Sequence, residues 1–366
     1  MIHLIAGARP NFVKLAPLVR ALSANHQPFE IVHTGQHYDE ALSGSFFRVL
    51  DIPAPNMNLE VGSGPQGAQT ARILERYEEL LLTRRPRAVV VFGDVTGTLA
   101  CALAAAKLLV PVVHVEAGLR SFDRTMPEEI NRIVTDSLSD LLLVSEPAGV
   151  ANLKREGVAP EKIKLVGNIM IDSLKHVLPQ ALDRRTHEQL GLRAGEYALL
   201  TMHRPSNVDV PESLARLMHV FSEIARELPI VFPVHPRTRA RLAAAGVEPS
   251  SDPSSSSGLL LIDSVDYLGS LCLQKHARVV FTDSGGMQEE TTTLGVPCIT
   301  LRDCTERPIT VEQGTSTLVG NDPGKIRQAY ADVVAGRYRA GRAISMWDGQ
   351  AAPRIVEHLS EFLKKP

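Results

Sequence analysis

Short runs of apolar residues alternate along the chain with longer stretches in which apolar positions recur at helical spacing. In the first half, residues 2–6, 30–34, 88–92, 112–115, 141–144 and 164–166 are predicted strands. Several are apolar at almost every position, as parallel strands buried on both faces require. Residues 69–82, 98–108, 128–137 and 148–156, between these strands, read as helices. The alternation resumes with strands at 198–202, 230–234, 259–262, 278–282 and 298–301 and helices at 212–227, 237–245, 287–294 and 324–335. Strands joined through single helices predict an α/β fold with a parallel sheet, and two such arrays predict two Rossmann-like domains. The polar stretch 172–195, with Pro179, is the predicted linker, and the serine-rich 250–258 a surface loop inside the second array. A last helix at about 351–364 comes after the polar break Trp347-Asp348-Gly349.

The length, 366 residues, agrees with about two domains. The 39 Lys and Arg nearly balance the 41 Asp and Glu, so the chain lacks the basic excess that a nucleic-acid backbone binder needs. No apolar run approaches the ~18 residues of a membrane span, and the first residues enter a strand rather than a signal peptide. Four cysteines, Cys101, Cys272, Cys298 and Cys304, show no C-x-x-C spacing and read as reduced thiols of a cytoplasmic protein. The histidines form neither H-x-H nor H-E-x-x-H, and there is no D-x-D, so no metal is expected.

Open α/β sheets bind ligands beyond the carboxyl ends of their strands, so the residues just past each strand are the first candidates for chemistry. After the first strand comes Gly7-Ala8-Arg9-Pro10-Asn11-Phe12-Val13-Lys14, a turn opening a helix, with Arg9 placed to bond an anion at the helix start. After the third comes Gly93-Asp94, where Asp94 is either a helix cap or a functional carboxylate. After the fourth comes Glu116, poor capping chemistry and costly if buried unpaired. Pro127-Glu128-Glu129 then starts a helix, where acidic residues suit the dipole. If these strands are neighbours, Asp94, Glu116 and Glu128 meet at one sheet edge as candidates for proton transfer, with Arg120 and Arg132 tempering their repulsion.

In the second array, His203-Arg204-Pro205 and His235-Pro236-Arg237 each end a strand. The strongest local signal is Thr282-Asp283-Ser284-Gly285-Gly286-Met287-Gln288-Glu289-Glu290. An apolar strand runs through Ser-Gly-Gly into a helix, which presents backbone N–H groups to a diphosphate without being a P-loop. Glu290, two turns into that helix, is either a solvated residue or an acceptor for a ribose diol. The G-x-G-x-x-G at Gly62–Gly67 is preceded by no buried strand and is set aside.

Together these segments resemble the non-hydrolysing UDP-N-acetylglucosamine 2-epimerases. The matching stretches are Gly7-Ala8-Arg9-Pro10 with Lys14, Thr34-Gly35-Gln36-His37, Gly93-Asp94, His114 to Arg120, Pro127 to Arg132, His203-Arg204-Pro205, Pro233-Val234-His235, Thr282 to Glu290 and Thr305-Glu306-Arg307-Pro308, in family order. The resemblance implies a GT-B fold, two Rossmann-like domains facing across a cleft, here at 1–169 and 170–350 with the helix 351–366 crossing back to the first. It implies inversion at C2 of UDP-GlcNAc to give UDP-ManNAc, through elimination of UDP to a 2-acetamidoglucal and re-addition. Asp94, Glu116 and Glu128 match the family's catalytic carboxylates and His203 its catalytic histidine. Arg9, Ser284, Gly285, Gly286 and Glu290 match nucleotide-diphosphate contacts, Lys14 and Arg307 match cations of the site, and His235 lines it. A UDP-sugar is the implied partner of a cytoplasmic homodimer that uses no cofactor.

Many bacterial members bind a second UDP-GlcNAc as activator through a Gln-His-Arg…Asp-Gln pattern. Here the segment reads Gln36-His37-Tyr38-Asp39-Glu40-Ala41, without the Arg and the second Gln, so the resemblance does not extend to that site. Relatives acting on 2,3-diacetamido uronate sugars are also similar. The alternatives are therefore another UDP-sugar epimerase, a GT-B glycosyltransferase and a non-catalytic nucleotide-sugar binder.

Overall fold

A computed structural model describes residues 1–35, 47–234, 236–244 and 258–364, with the backbone alone at 9, 236 and 237. The chain divides into two compact units, Met1–His176 with Ser345–Pro366, and Val177–Ile344. Among the described residues no helix is long and apolar enough to cross a membrane.

The first unit is built on a seven-stranded sheet of β1 (Ile2–Ala6), β2 (Phe29–His33), β3 (Met57–Asn58), β4 (Val89–Phe92), β5 (Val112–Ala117), β6 (Leu141–Val144) and β7 (Ile163–Leu165). Their order is β3-β2-β1-β4-β5-β6-β7, and every pairing is parallel. The order reverses between β1 and β4, and at such a switch point the carboxyl ends of neighbouring strands open a crevice. The central strands are buried throughout, which accounts for their unbroken apolar runs. Helix Thr96–Lys107 carries Ala100, Ala102, Ala104 and Ala105 fully buried, the small side chains of an element packed on more than one face.

The second unit repeats the plan with β8 (Ala198–Thr201), β9 (Ile230–Val234), β10 (Leu259–Asp263), β11 (Val279–Thr282), β12 (Cys298–Thr300) and β13 (Ser316–Leu318). Their order is β10-β9-β8-β11-β12-β13, again all parallel, with the reversal between β8 and β11. One apolar core packs one face of this sheet against its helices, with Leu217, Phe221, Phe232, Phe281 and Ile326 among its members.

Three expectations change. The stretch 172–195 is not a polar linker: helix Ile169–Asp183 runs through its first half and the short helix Thr186–Gln189 comes next. Ile171, Leu174, Val177 and Ala181 recur at helical spacing and are buried, and Pro179 is accommodated inside the helix. Helix Tyr267–His276 was not expected, because Leu268, Leu271, Cys272, Leu273 and Gln274 are buried on several sides and leave no one-sided stripe. The edge strands β3 and β13, of two and three residues, are too short to give a periodic signal. The expected loop 250–258 lies outside the described residues except for its last glycine.

Candidate active site

The first cluster forms at the carboxyl ends of β1, β4 and β5. The pairing of β5 with β6 jumps from Val115 opposite Leu143 to Ala117 opposite Val144, which leaves Glu116 as the extra residue of a bulge. Glu116 has φ +73°, a left-handed conformation unusual for a side chain of this kind. The bulge aims its buried carboxylate at Lys14, whose Nζ lies 2.8 Å from Oε1 and 2.7 Å from Oε2. Lys14 is itself buried, on helix Arg9–Ala24. Gly93 makes room for the pair: it has φ +61°, and a Cβ there would stand 2.7 Å from the Lys14 Nζ. Asn11 joins the first turn to this edge, donating to the Phe92 carbonyl at 3.0 Å and accepting from the Ala8 N–H at 3.2 Å.

Asp94 has its own cation, with Arg132 Nη2 at 2.8 Å and Nε at 3.0 Å from Oδ2. Asn131 donates to the Asp94 carbonyl at 2.8 Å. The two acidic residues that open helix Pro127–Leu138 separate. Glu128 is exposed, whereas Glu129 is buried and accepts from the N–H groups of Ser121 and Phe122, each at 2.9 Å, and from Arg132. Arg132 therefore tempers Asp94 as expected, but Arg120 does not take part. It bonds Asp136 at 2.7 Å and Glu156 at 2.7 Å. His114 lies behind the edge, with Nδ1 2.6 Å from Asp136 and Nε2 2.8 Å from the Gly93 carbonyl, so both ring nitrogens face acceptors. Burial pushes the Asp136 carboxyl up, but His114 and Arg120 outweigh it and hold it below its ordinary range.

The second cluster stands where β8 and β11 end. Asp283, fully buried, accepts from the N–H groups of His203 and Arg204 at 3.0 and 2.9 Å, from Asn207 Nδ2 at 3.1 Å, and from His203 Nδ1 at 2.8 Å. Burial raises its pKa, but the His203 ring and these backbone donors outweigh that and lower it. The His203 side chain is 62% exposed, so Asp283 fixes one ring nitrogen while most of the ring stays accessible.

Ser284 caps helix Gly285–Leu294 through a long contact, 3.5 Å, from the Met287 N–H. Around the first helical turn lies a buried ion network. Arg307 Nε is 2.7 Å from Glu289, Arg307 also pairs with Glu306, and Arg302 Nη2 is 2.7 Å from Glu306. A Cβ at Gly285 would stand 2.6 Å from Glu306 Oε1 and 2.9 Å from Arg307 Nη1, so any larger residue would have to displace the charged ends of both side chains. Arg302 Nη1 is buried without a hydrogen-bond partner among the described residues and would be 3.6 Å from that Cβ. Glu290 is buried and not a solvated helix residue. It accepts from Gln274 at 2.8 Å, and burial pushes its carboxyl up to about 7 against the opposing bonds of Gln274 and Tyr267.

Of the expected residues, the first unit gathers Lys14, Asp94 and Glu116, with Glu128 exposed at the start of the helix that carries Arg132. The second gathers His203, Ser284, Gly285, Gly286, Glu290 and Arg307. The Arg9 side chain, His235 and the segment 36–46 lie outside the described residues. Sequence reasoning gave no role to Asp283, Asn207, Arg302, Gln274 or Asp136. Asp283 carried the same signal as Glu116, a carboxylate directly after a buried apolar strand.

Two parallel α/β units, each with a cluster of charged and polar side chains at its switch point, make this a protein of the two-domain GT-B-like class. The family profile described as UDP-N-acetylglucosamine 2-epimerase matches residues 20–360. The UDP-N-acetylglucosamine 2-epimerase of Methanocaldococcus jannaschii is 41% identical over 364 residues, 98% of each chain. Its crystal structure in complex with UDP-GlcNAc and UDP superposes with a TM-score of 0.89 over 98% of this chain and 99% of that one. The UDP-2,3-diacetamido-2,3-dideoxy-D-glucuronate 2-epimerase of Pseudomonas aeruginosa is 38% identical over 370 residues, 98% of this chain and 99% of that one. The chain belongs to the UDP-N-acetylglucosamine 2-epimerase family and is an isomerase.

Proposed function

We propose that this chain inverts C2 of UDP-GlcNAc to give UDP-ManNAc without hydrolysing it. The observation that carries the reading is Glu116: a bulge and a left-handed backbone hold its carboxylate against Lys14, at the sheet edge where Asp94 also stands. Such a conformation costs of order 1–3 kcal/mol and persists where the surroundings enforce it. The C2 proton sits on the carbon that bears the acetamido nitrogen, with no carbonyl carbon adjacent, so it is weakly acidic. Its removal needs a fixed base together with strong stabilisation of the leaving group.

A carboxylate takes the C2 proton while the C1–O bond to UDP breaks, and the electron pair forms the C1–C2 double bond of a 2-acetamidoglucal. A proton returns to C2 from the other face, and the UDP oxygen re-forms its bond to C1. Asp94, Glu116 and Glu128 are the proposed proton-transfer groups, with Lys14 and Arg132 keeping the first two carboxylates in place. His203, oriented by Asp283, is the proposed catalytic histidine. For the diphosphate, the N–H groups of Gly285 and Gly286 lie at a helix start beside Arg307, and Arg9 adds a further cation. Glu290 takes the ribose diol and His235 lines the site.

The relative described with UDP-GlcNAc and UDP supports this substrate. The similarity to the Pseudomonas aeruginosa enzyme favours a second reading, the same inversion on a 2,3-diacetamido uronate. The test is incubation with each UDP-sugar alone, with NMR of the sugar over time. A new UDP-sugar from UDP-GlcNAc, formed without acceptor, is the expected result. Turnover of the uronate alone would transfer the reading to that substrate. Free ManNAc with UDP would mean hydrolysis, and no turnover of either would leave a transferase or a binder.

A further inference from the structure

Three side chains of the second unit that have no part in the chemistry above come together away from the sheet edge. Cys272 and His276 stand one turn apart on helix Tyr267–His276, a Cys-x3-His spacing that places both on one face. His187, from the short helix Thr186–Gln189, faces them. The Cys272 Sγ lies 3.6 Å from His187 Nδ1 and 3.8 Å from His276 Nδ1, and one donor atom from each residue lies within 4.8 Å of the others. Cys272 and His187 are buried, and His276 is half-buried, which leaves a way in from solvent.

The distances fit a shared ligand. Two ring nitrogens stand at nearly equal distance from the sulfur, and with no ion bound the His276 Nδ1–H is held by the Cys272 carbonyl, so the S–H proton that a metal ion would replace serves His187 alone. A zinc ion about 2.3 Å from a thiolate and about 2.0–2.1 Å from imidazole nitrogens, at tetrahedral angles, sets sulfur and nitrogen roughly 3.5 Å apart. We propose that His187, Cys272 and His276 form a binding site for a thiophilic divalent metal ion of the zinc class, with water at the fourth position. One thiolate and two imidazoles select such an ion over magnesium or calcium, which require oxygen ligands.

The His187 and His276 rings are stacked, 4.0 Å between centroids and 20° apart in plane, and His276 Nδ1 also lies 3.0 Å from the Cys272 carbonyl. Binding the ion turns the His276 ring out of this stack: the Nδ1–H that donates to the Cys272 carbonyl is lost, the ring keeps its proton on Nε2, and the freed Nδ1 lone pair goes to the metal. The bound ion ties Thr186–Gln189 to the helix whose Tyr267 and Gln274 hold Glu290. The ion pair of Arg184 with Asp266 joins the same two segments at the other end of that helix.

The test is cobalt titration of the full chain after chelator treatment under reducing conditions. One cobalt per chain is expected, with a thiolate-to-cobalt charge-transfer band in the near ultraviolet and the intense visible bands of a tetrahedral site, all abolished by one equivalent of zinc. Cys272→Ser should remove the charge-transfer band, while Cys304→Ser leaves it intact. His276→Asn, at the half-buried position, should weaken cobalt binding at least about tenfold and serves if Cys272→Ser does not fold. A wild-type protein without the thiolate band, or a band that survives in both Cys272→Ser and His276→Asn, would overturn the site.

Discussion

Two neighbouring glutamates at the start of one helix have opposite environments. Glu129 is buried and fully bonded by Ser121, Phe122 and Arg132, whereas Glu128 is exposed. We expect Asp94→Asn, Glu116→Gln and Glu128→Gln each to lower kcat by about 100-fold or more, with UDP affinity changed much less. Glu129→Gln should instead lower the melting temperature, because it weakens a buried ion pair. Steady-state kinetics with calorimetric UDP titration separates the two classes. Glu290 adds a pH dependence. Burial pushes its carboxyl up to about 7, so near neutrality a substantial fraction carries a proton. If the ionised form accepts the ribose hydroxyls, UDP binding must expel that proton. Affinity should then fall as pH drops below 7, by at most about tenfold per unit, and level off above. Calorimetry in buffers of different ionisation enthalpy should detect the released proton in the wild type and none in Glu290→Gln.

At the scale of elements, the turn from β11 into helix Gly285–Leu294 brings a glycine against charged side chains. Gly285→Val would drive its branched side chain into Glu306 and Arg307 and should nearly abolish UDP binding. Ser284→Ala should cost about 1–3 kcal/mol, one hydrogen bond to a charged acceptor. Equal, small losses by calorimetry would contradict the turn. Most strands and the long amphipathic helices were legible because burial on both faces writes unbroken apolar runs and burial on one face writes a 3.6-residue period. Helix Tyr267–His276 was hidden because it is buried on several sides, and 172–195 looked like a linker because its charged face masks the stripe Ile171, Leu174, Val177 and Ala181. Within the site, residues that end strands were legible from position alone, as with Asp94, Glu116 and His203. Their supports were not. Asp136, Asn207 and Arg302 reach the site from other elements, and only the fold brings Asp136 to His114 or Arg302 to Glu306.

For the molecule as a whole, the C-terminal helix Ala351–Lys364 belongs to the first unit, and Asp172 accepts from the N–H groups of Ala351 and Ala352 at 3.1 and 2.8 Å. Asp172→Ala removes this cap and should destabilise that unit by about 1 kcal/mol, seen as a melting temperature lower by a few degrees with activity per folded molecule unchanged. The central claim is that the C2 proton leaves and a proton returns while UDP is off the sugar. Turnover of UDP-GlcNAc in D2O, monitored by NMR at C2, tests it most directly. Deuterium at C2 of the UDP-ManNAc product is the expected result, with incorporation by Glu116→Gln slowed by about 100-fold or more, in step with its turnover. A UDP-ManNAc product that keeps its original proton at C2 throughout would contradict exchange with water at the proposed carboxylates.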